Sequence, residues 1–94
     1  MTYGIRALMK LLLKYYHTYN LITVRAIISR YAPSNENRTD KYIGFVCSKM
    51  HVEPDTTLQL YIPYVLFSMV RAICEYESKY HPSDILLTDA YIKL

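Results

Sequence analysis

Eight carboxylates, three histidines and two cysteines are the groups with which this chain could do chemistry. Glycoside cleavage calls for one carboxylic acid held protonated, with a second carboxylate or a positioned water opposite it. Glu36, Asp40, Glu53 and the pair Glu75 and Glu77 are the available acids, and their spacing decides nothing. Metal sites need ligands at spacings such as H-E-x-x-H or C-x-x-C. His17, His51, His81, Cys47 and Cys74 each stand alone, so no metal or other cofactor is expected. Ser34 has no nucleophile-elbow glycines around it, and Gly4 and Gly44 lie within helical patterns rather than in a phosphate-cradling loop.

The densest polar stretch is "PSNENRTD", residues 33–40. As a site it offers Tyr31, Asn35, Glu36, Asn37, Arg38, Thr39 and Tyr42 for binding, with Glu36 as the alternative catalytic acid. As a plain connection, the same side chains satisfy backbone groups and cap the following helix. Both readings stay open from the residues alone.

The elements that must position these groups read as helices. Over residues 2–19 the apolar positions Ile5, Leu8, Leu12, Tyr15 and Tyr19 recur at three and four, with Met9, Leu13 and Tyr16 widening the stripe. Thr23 is an N-cap for a short second helix through Val24, Ile27, Ile28 and Tyr31, stopped by Pro33. Thr39 is the expected cap of a third helix, with Asp40 in its first turn and Tyr42, Ile43, Val46, Cys47 and Met50 following.

Residues 51–60 form a turn-rich connection around Pro54 and Asp55, with Leu58 and Leu60 at its end. Pro63 opens a long fourth helix with Leu66, Met69, Val70, Ile73 and Tyr76 on its buried side, ended by His81 and Pro82. Ser83 caps a last helix running towards Leu94. No stretch alternates long enough for a strand, so the fold expected is all-α: one small domain, residues 1–94, of about five helices.

Composition narrows the class. Ninety-four residues with 52% apolar and 20% charged content make a globular chain rather than a disordered one. The net charge is +3, but no two basic residues are adjacent, so the sequence shows no nucleic-acid footprint and a direct nucleic-acid partner is not expected. Only the fold could gather Arg25, Arg30, Arg38 and Lys41 into a patch. Cys47 and Cys74 sit in apolar-periodic segments and read as buried, reduced core residues. The N-terminus carries Arg6, Lys10 and Lys14 and reads as neither a signal peptide nor a membrane span, so a cytoplasmic location is expected. Eleven tyrosines stand against two phenylalanines and no tryptophan, which suits either a core rim or a recognition surface.

The run "YGIRA", then "TVRAIISRYAPSNENRTDKYIGFVC", then "HVEPDTTLQL" resembles the C-terminal part of a phage and prophage family of virion structural proteins with lysozyme-like, peptidoglycan-hydrolase character. The family pattern of "GIRA", "IxxRxAPxxENxTxxYI" and a valine before an acidic-proline turn falls at residues 4–7, 28–43 and 52–55. The resemblance spans residues 3–79, weakest at "RAICEYES", and leaves residues 81–94 as an added C-terminal helix. Family members carry a "PGNIR" motif upstream of "GIRA". Its absence here implies a unit without its catalytic half and a chain that is more an interaction protein than an enzyme.

Three functions follow as expectations. The first is a non-enzymatic phage- or prophage-encoded protein in the bacterial host's cytoplasm that binds and blocks a host protein complex, such as a CRISPR effector. The second is a residual peptidoglycan-binding or lytic module, with Glu36 as acid and Asn37 and Tyr42 as substrate contacts. The third is a virion component that forms homo-oligomers through exposed tyrosines and apolar tail residues.

Overall fold

The structure, a computed structural model, describes residues 4–33 and 36–94, with residues 36 and 37 described as backbone only. Five helices make an all-α fold: α1 Ile5–Thr18, α2 Val24–Tyr31, α3 Glu36–Met50, α4 Pro63–Ser78 and α5 Asp84–Ile92. No strand occurs among the described residues.

The helix starts follow local chemistry. Thr23 stays extended and its Oγ1 accepts the Ala26 amide at 3.1 Å, while Ser83 Oγ accepts the Leu86 amide at 3.1 Å. Each hydroxyl satisfies an amide that has no partner within its helix. Pro63 sits in the first turn of α4, where its missing amide costs nothing. Asn20, His51 and Lys79 each adopt a left-handed backbone (φ 55°, 59° and 55°) where α1, α3 and α4 end. That conformation usually falls to glycine, and this chain spends neither of its two glycines on it.

Two boundaries differ from the sequence-based expectation. The third helix begins at Glu36, not after a Thr39 cap, so most of the polar stretch is the first turns of α3. Thr39 Oγ1 instead donates to the Ala32 carbonyl at 3.1 Å, tying α3 back to the end of α2. The fourth helix ends at Ser78, three residues before His81, because Lys79 turns left-handed and its amide closes on the Glu75 carbonyl at 2.9 Å.

The core gathers around α4, whose Leu66, Met69, Val70, Ala72, Ile73 and Cys74 are buried. Leu8, Met9 and Leu12 of α1, Val24, Ile27 and Ile28 of α2, and Ile43, Val46 and Cys47 of α3 close around it. Burial pushes both thiols above their ordinary range. The connection before α4 belongs to this core: Leu58 and Leu60 are buried, and Tyr16 Oη donates to the Leu58 carbonyl at 2.8 Å. Arg25 clamps the same segment, meeting Asp55 through two contacts of 2.8 and 3.3 Å.

Candidate functional site

Of the sequence-proposed binding residues, Asn35 lies outside the described residues, as do the side chains of Glu36 and Asn37. Arg38 is exposed, Thr39 is engaged with Ala32, and Tyr31 and Tyr42 meet edge to face with ring centroids 6.4 Å apart. Tyr42 is only 4% exposed. Its ring stacks on Tyr76 of α4 at 4.0 Å, and its hydroxyl donates to Glu77 Oε1 at 2.9 Å. Burial first, and then the Glu77 contact, drives the phenol's pKa far above its ordinary range. Tyr42 is therefore a fixed proton donor that bolts α3 to α4.

The pairing of α3 and α4 leaves an open groove beside this stack. Phe45, Glu75, Tyr76, Lys79 and His81 line it, around a volume of about 420 Å³. Phe45 leans on Tyr76 with centroids 5.2 Å apart, and Lys49 Nζ lies 5.5 Å from the Phe45 ring centre. Glu75 joins Lys49 at 2.7 Å and faces His81 Nδ1 at 3.4 Å. The lining offers aromatic surface with both signs of charge, and no serine, threonine or cysteine stands among it. Aromatic surface with both signs of charge suits recognition.

Sequence reasoning placed Tyr76 on the buried side of its helix, yet it is 39% exposed, and Phe45, Lys79 and His81 were not singled out as binding residues. The spacing of Tyr42, Phe45 and Lys49 along one side of α3 was the available signal, but its partner stripe on α4 emerges only from packing.

A second surface lies on α5. Leu87 and Ala90 enter the core, while Ile85 and Ile92, at i and i+7, stand 82% and 75% exposed. An ion pair between Arg71 and Asp84 joins the start of α5 to the middle of α4, and Tyr91 meets Phe67 at 5.8 Å near its end. The two helices thus run antiparallel. Leu94 is exposed as well, and so at the start of α4 are Tyr61, Ile62 and the 79% exposed Tyr64.

No group of three His, Cys, Asp or Glu side chains that could hold a metal occurs among the described residues. No described helix is long and apolar enough to cross a membrane.

The chain matches no known protein-family model. Over 47 residues, half of its length, it is 45% identical to "Protein P5" of Pseudoalteromonas phage PM2. That similarity points to a phage origin. The matched stretch spans 29% of Protein P5, so the chain is similar to less than a third of that protein.

Proposed function

We propose that this is a phage-encoded, non-enzymatic protein-binding module that attaches to a host protein complex through the uncovered face of α5 and the tyrosines around the start of α4. The observation that carries the reading is the exposure of Ile85 and Ile92 on α5 and of Tyr64 at the start of α4. Exposed apolar surface of this kind marks an interface. Tyrosine suits such a surface because it buries a large ring and keeps a hydroxyl for a partner. A host defence complex such as a CRISPR effector is the partner class proposed, with blockade as the consequence.

The test is affinity capture from lysate of the bacterial host with the wild-type chain and with an Ile85→Asp, Ile92→Asp double variant. Wild type retains one defined multi-subunit complex in stoichiometric amount, and the variant loses it while keeping its helical circular dichroism. Equal capture by both chains overturns the assignment of this surface. Retention of peptidoglycan would instead support the wall-binding module that the family resemblance implies. Mass that rises with concentration for wild type alone would assign the face to a second copy of the chain.

A further inference from the structure

Charge is segregated along this chain in a way that its modest total hides. Residues 1–35 hold Arg6, Lys10, Lys14, Arg25 and Arg30 and not one Asp or Glu, so all eight acids fall after them, where six basic residues accompany them. The first third carries +5 and the remainder −2. The fold turns this into a surface. Arg6, Lys10 and Lys14 follow one another at four-residue steps on the exposed side of α1, each step advancing about 6 Å along the helix. No described carboxylate lies within ion-pair distance of them or of Arg30. Arg25 is neutralised by Asp55 and stands apart.

The stripe ends on an aromatic ring. Tyr19, 43% exposed at the end of α1, has the Arg30 guanidinium 4.8 Å and Lys14 Nζ 6.0 Å from its ring centre. The same guanidinium lies 5.9 Å from the Tyr15 ring centre. We infer that the α1 face from Arg6 to Tyr19, completed by Arg30, binds the backbone of single-stranded nucleic acid without sequence preference. A row of unpaired cations follows a phosphate backbone, and an accessible ring held among cations is a stacking platform for an unpaired base. A duplex offers no such base.

A lipid surface fits less well, because the apolar side of α1 is consumed by the core at Leu8, Met9 and Leu12 and leaves no helix face to insert. An acidic protein fits less well too, since lysine is depleted at the centre of protein interfaces.

The test is fluorescence anisotropy of the full chain with a labelled 20-mer of oligothymidine, from 20 to 200 mM salt. If three or four phosphates are neutralised, affinity falls about 20- to 50-fold between 50 and 200 mM. Lys10→Gln with Lys14→Gln flattens that salt dependence. Tyr19→Ala weakens binding about tenfold at unchanged salt dependence, and Tyr19→Phe restores it. All these positions are exposed, and circular dichroism confirms that each variant folds. The proposal is overturned if oligothymidine does not bind at 20 mM salt, or if the variants bind as wild type does. It is equally overturned if a duplex of the same length, polyglutamate or vesicles containing phosphatidylserine bind as tightly as the single strand.

Discussion

Two helices, α1 and α5, pack against each other and finish their outer faces in opposite ways. α1 buries Leu8, Met9 and Leu12 and turns Arg6, Lys10 and Lys14 outwards. α5 buries only Leu87 and Ala90 and turns Ile85 and Ile92 outwards. One helix is complete as it stands, its polar side already matched to water. The other turns Ile85 and Ile92 to water beside Asp84, Thr88 and Asp89, so apolar side chains interrupt its polar side. The comparison separates a helix finished for water from one that leaves apolar side chains exposed within one small molecule.

The largest expected effect lies on the buried side of α1. Leu12 is fully enclosed, and Leu12→Ala should cost about 2–5 kcal/mol through lost burial and the cavity left behind. On α5, Ile85→Ala should stay within about 0.5 kcal/mol, because the side chain gives up little that water did not already have. Urea unfolding of both variants measures the contrast directly. Comparable losses at the two positions would mean that the outer face of α5 is packed in solution, by a second copy of the chain or by another segment.

The pair of N-caps sharpens the same contrast one step down. Thr23→Ala and Ser83→Ala each remove an oxygen that accepts a helix-end amide, at about 1 kcal/mol apiece. The loss at Thr23 should register in global unfolding, because α2 delivers Val24, Ile27 and Ile28 to the core. The loss at Ser83 should register mainly as faster amide exchange within α5, whose hold on the core is two residues. Exchange measured residue by residue distinguishes a helix that opens alone from one that opens with the whole.

How much of this was legible in the sequence depends on the distance over which each cause acts. Thr23, Pro63 and Ser83 could be read because a cap or a proline acts within its own turn, independent of packing. Thr39 could not. It has the right chemistry for a cap, but its hydroxyl is taken by the Ala32 carbonyl, a contact seven residues back that exists only once α2 and α3 are folded together. Tyr76 misled for the same reason. Its helical phase pointed inward, and stacking on Tyr42 at the edge of α4 drew it to the groove rim instead. Charge showed a further limit. Looking for adjacent basic residues misses a stripe that a helix assembles every fourth residue, and the acid-free opening third carries that stripe.

Tyr42 extends the comparison to pH. Its native pKa is raised by burial and by the Glu77 carboxylate, whereas in the unfolded chain it titrates near 10. A group whose folded pKa is raised contributes fully below the unfolded value and loses that contribution as pH rises beyond it. Above about pH 10 the native state therefore keeps a proton that the unfolded state has released, and stability falls by about 1.4 kcal/mol per pH unit from this group. Tyr42→Phe should remove that share of the alkaline slope. The two buried thiols, also raised, begin their own loss somewhat lower and do so in both chains, so the difference between wild type and variant isolates Tyr42. An unchanged slope would mean that the hydroxyl reaches water and that the α3–α4 bolt is open.

The smallest effect is a gain. Lys79 holds a left-handed backbone at φ 55° to close α4, a conformation whose Cβ strain glycine lacks. Lys79→Gly should stabilise by about 0.5–1 kcal/mol, the strain relieved being partly offset by the greater freedom of glycine in the unfolded chain. Asn20, in the same conformation at the end of α1, should gain less from the same change, because asparagine tolerates this region. The choice of lysine over glycine at 79 then has a meaning in the comparison. Lys79 lines the aromatic groove next to Tyr76 and His81, so a strained closing residue places a cation at the rim of that groove. A Lys79→Gly chain that is more stable but captures less of the proposed host complex would show that the strain is held for binding. A chain more stable and equally competent would leave the uncovered face of α5 as the surface that carries recognition alone.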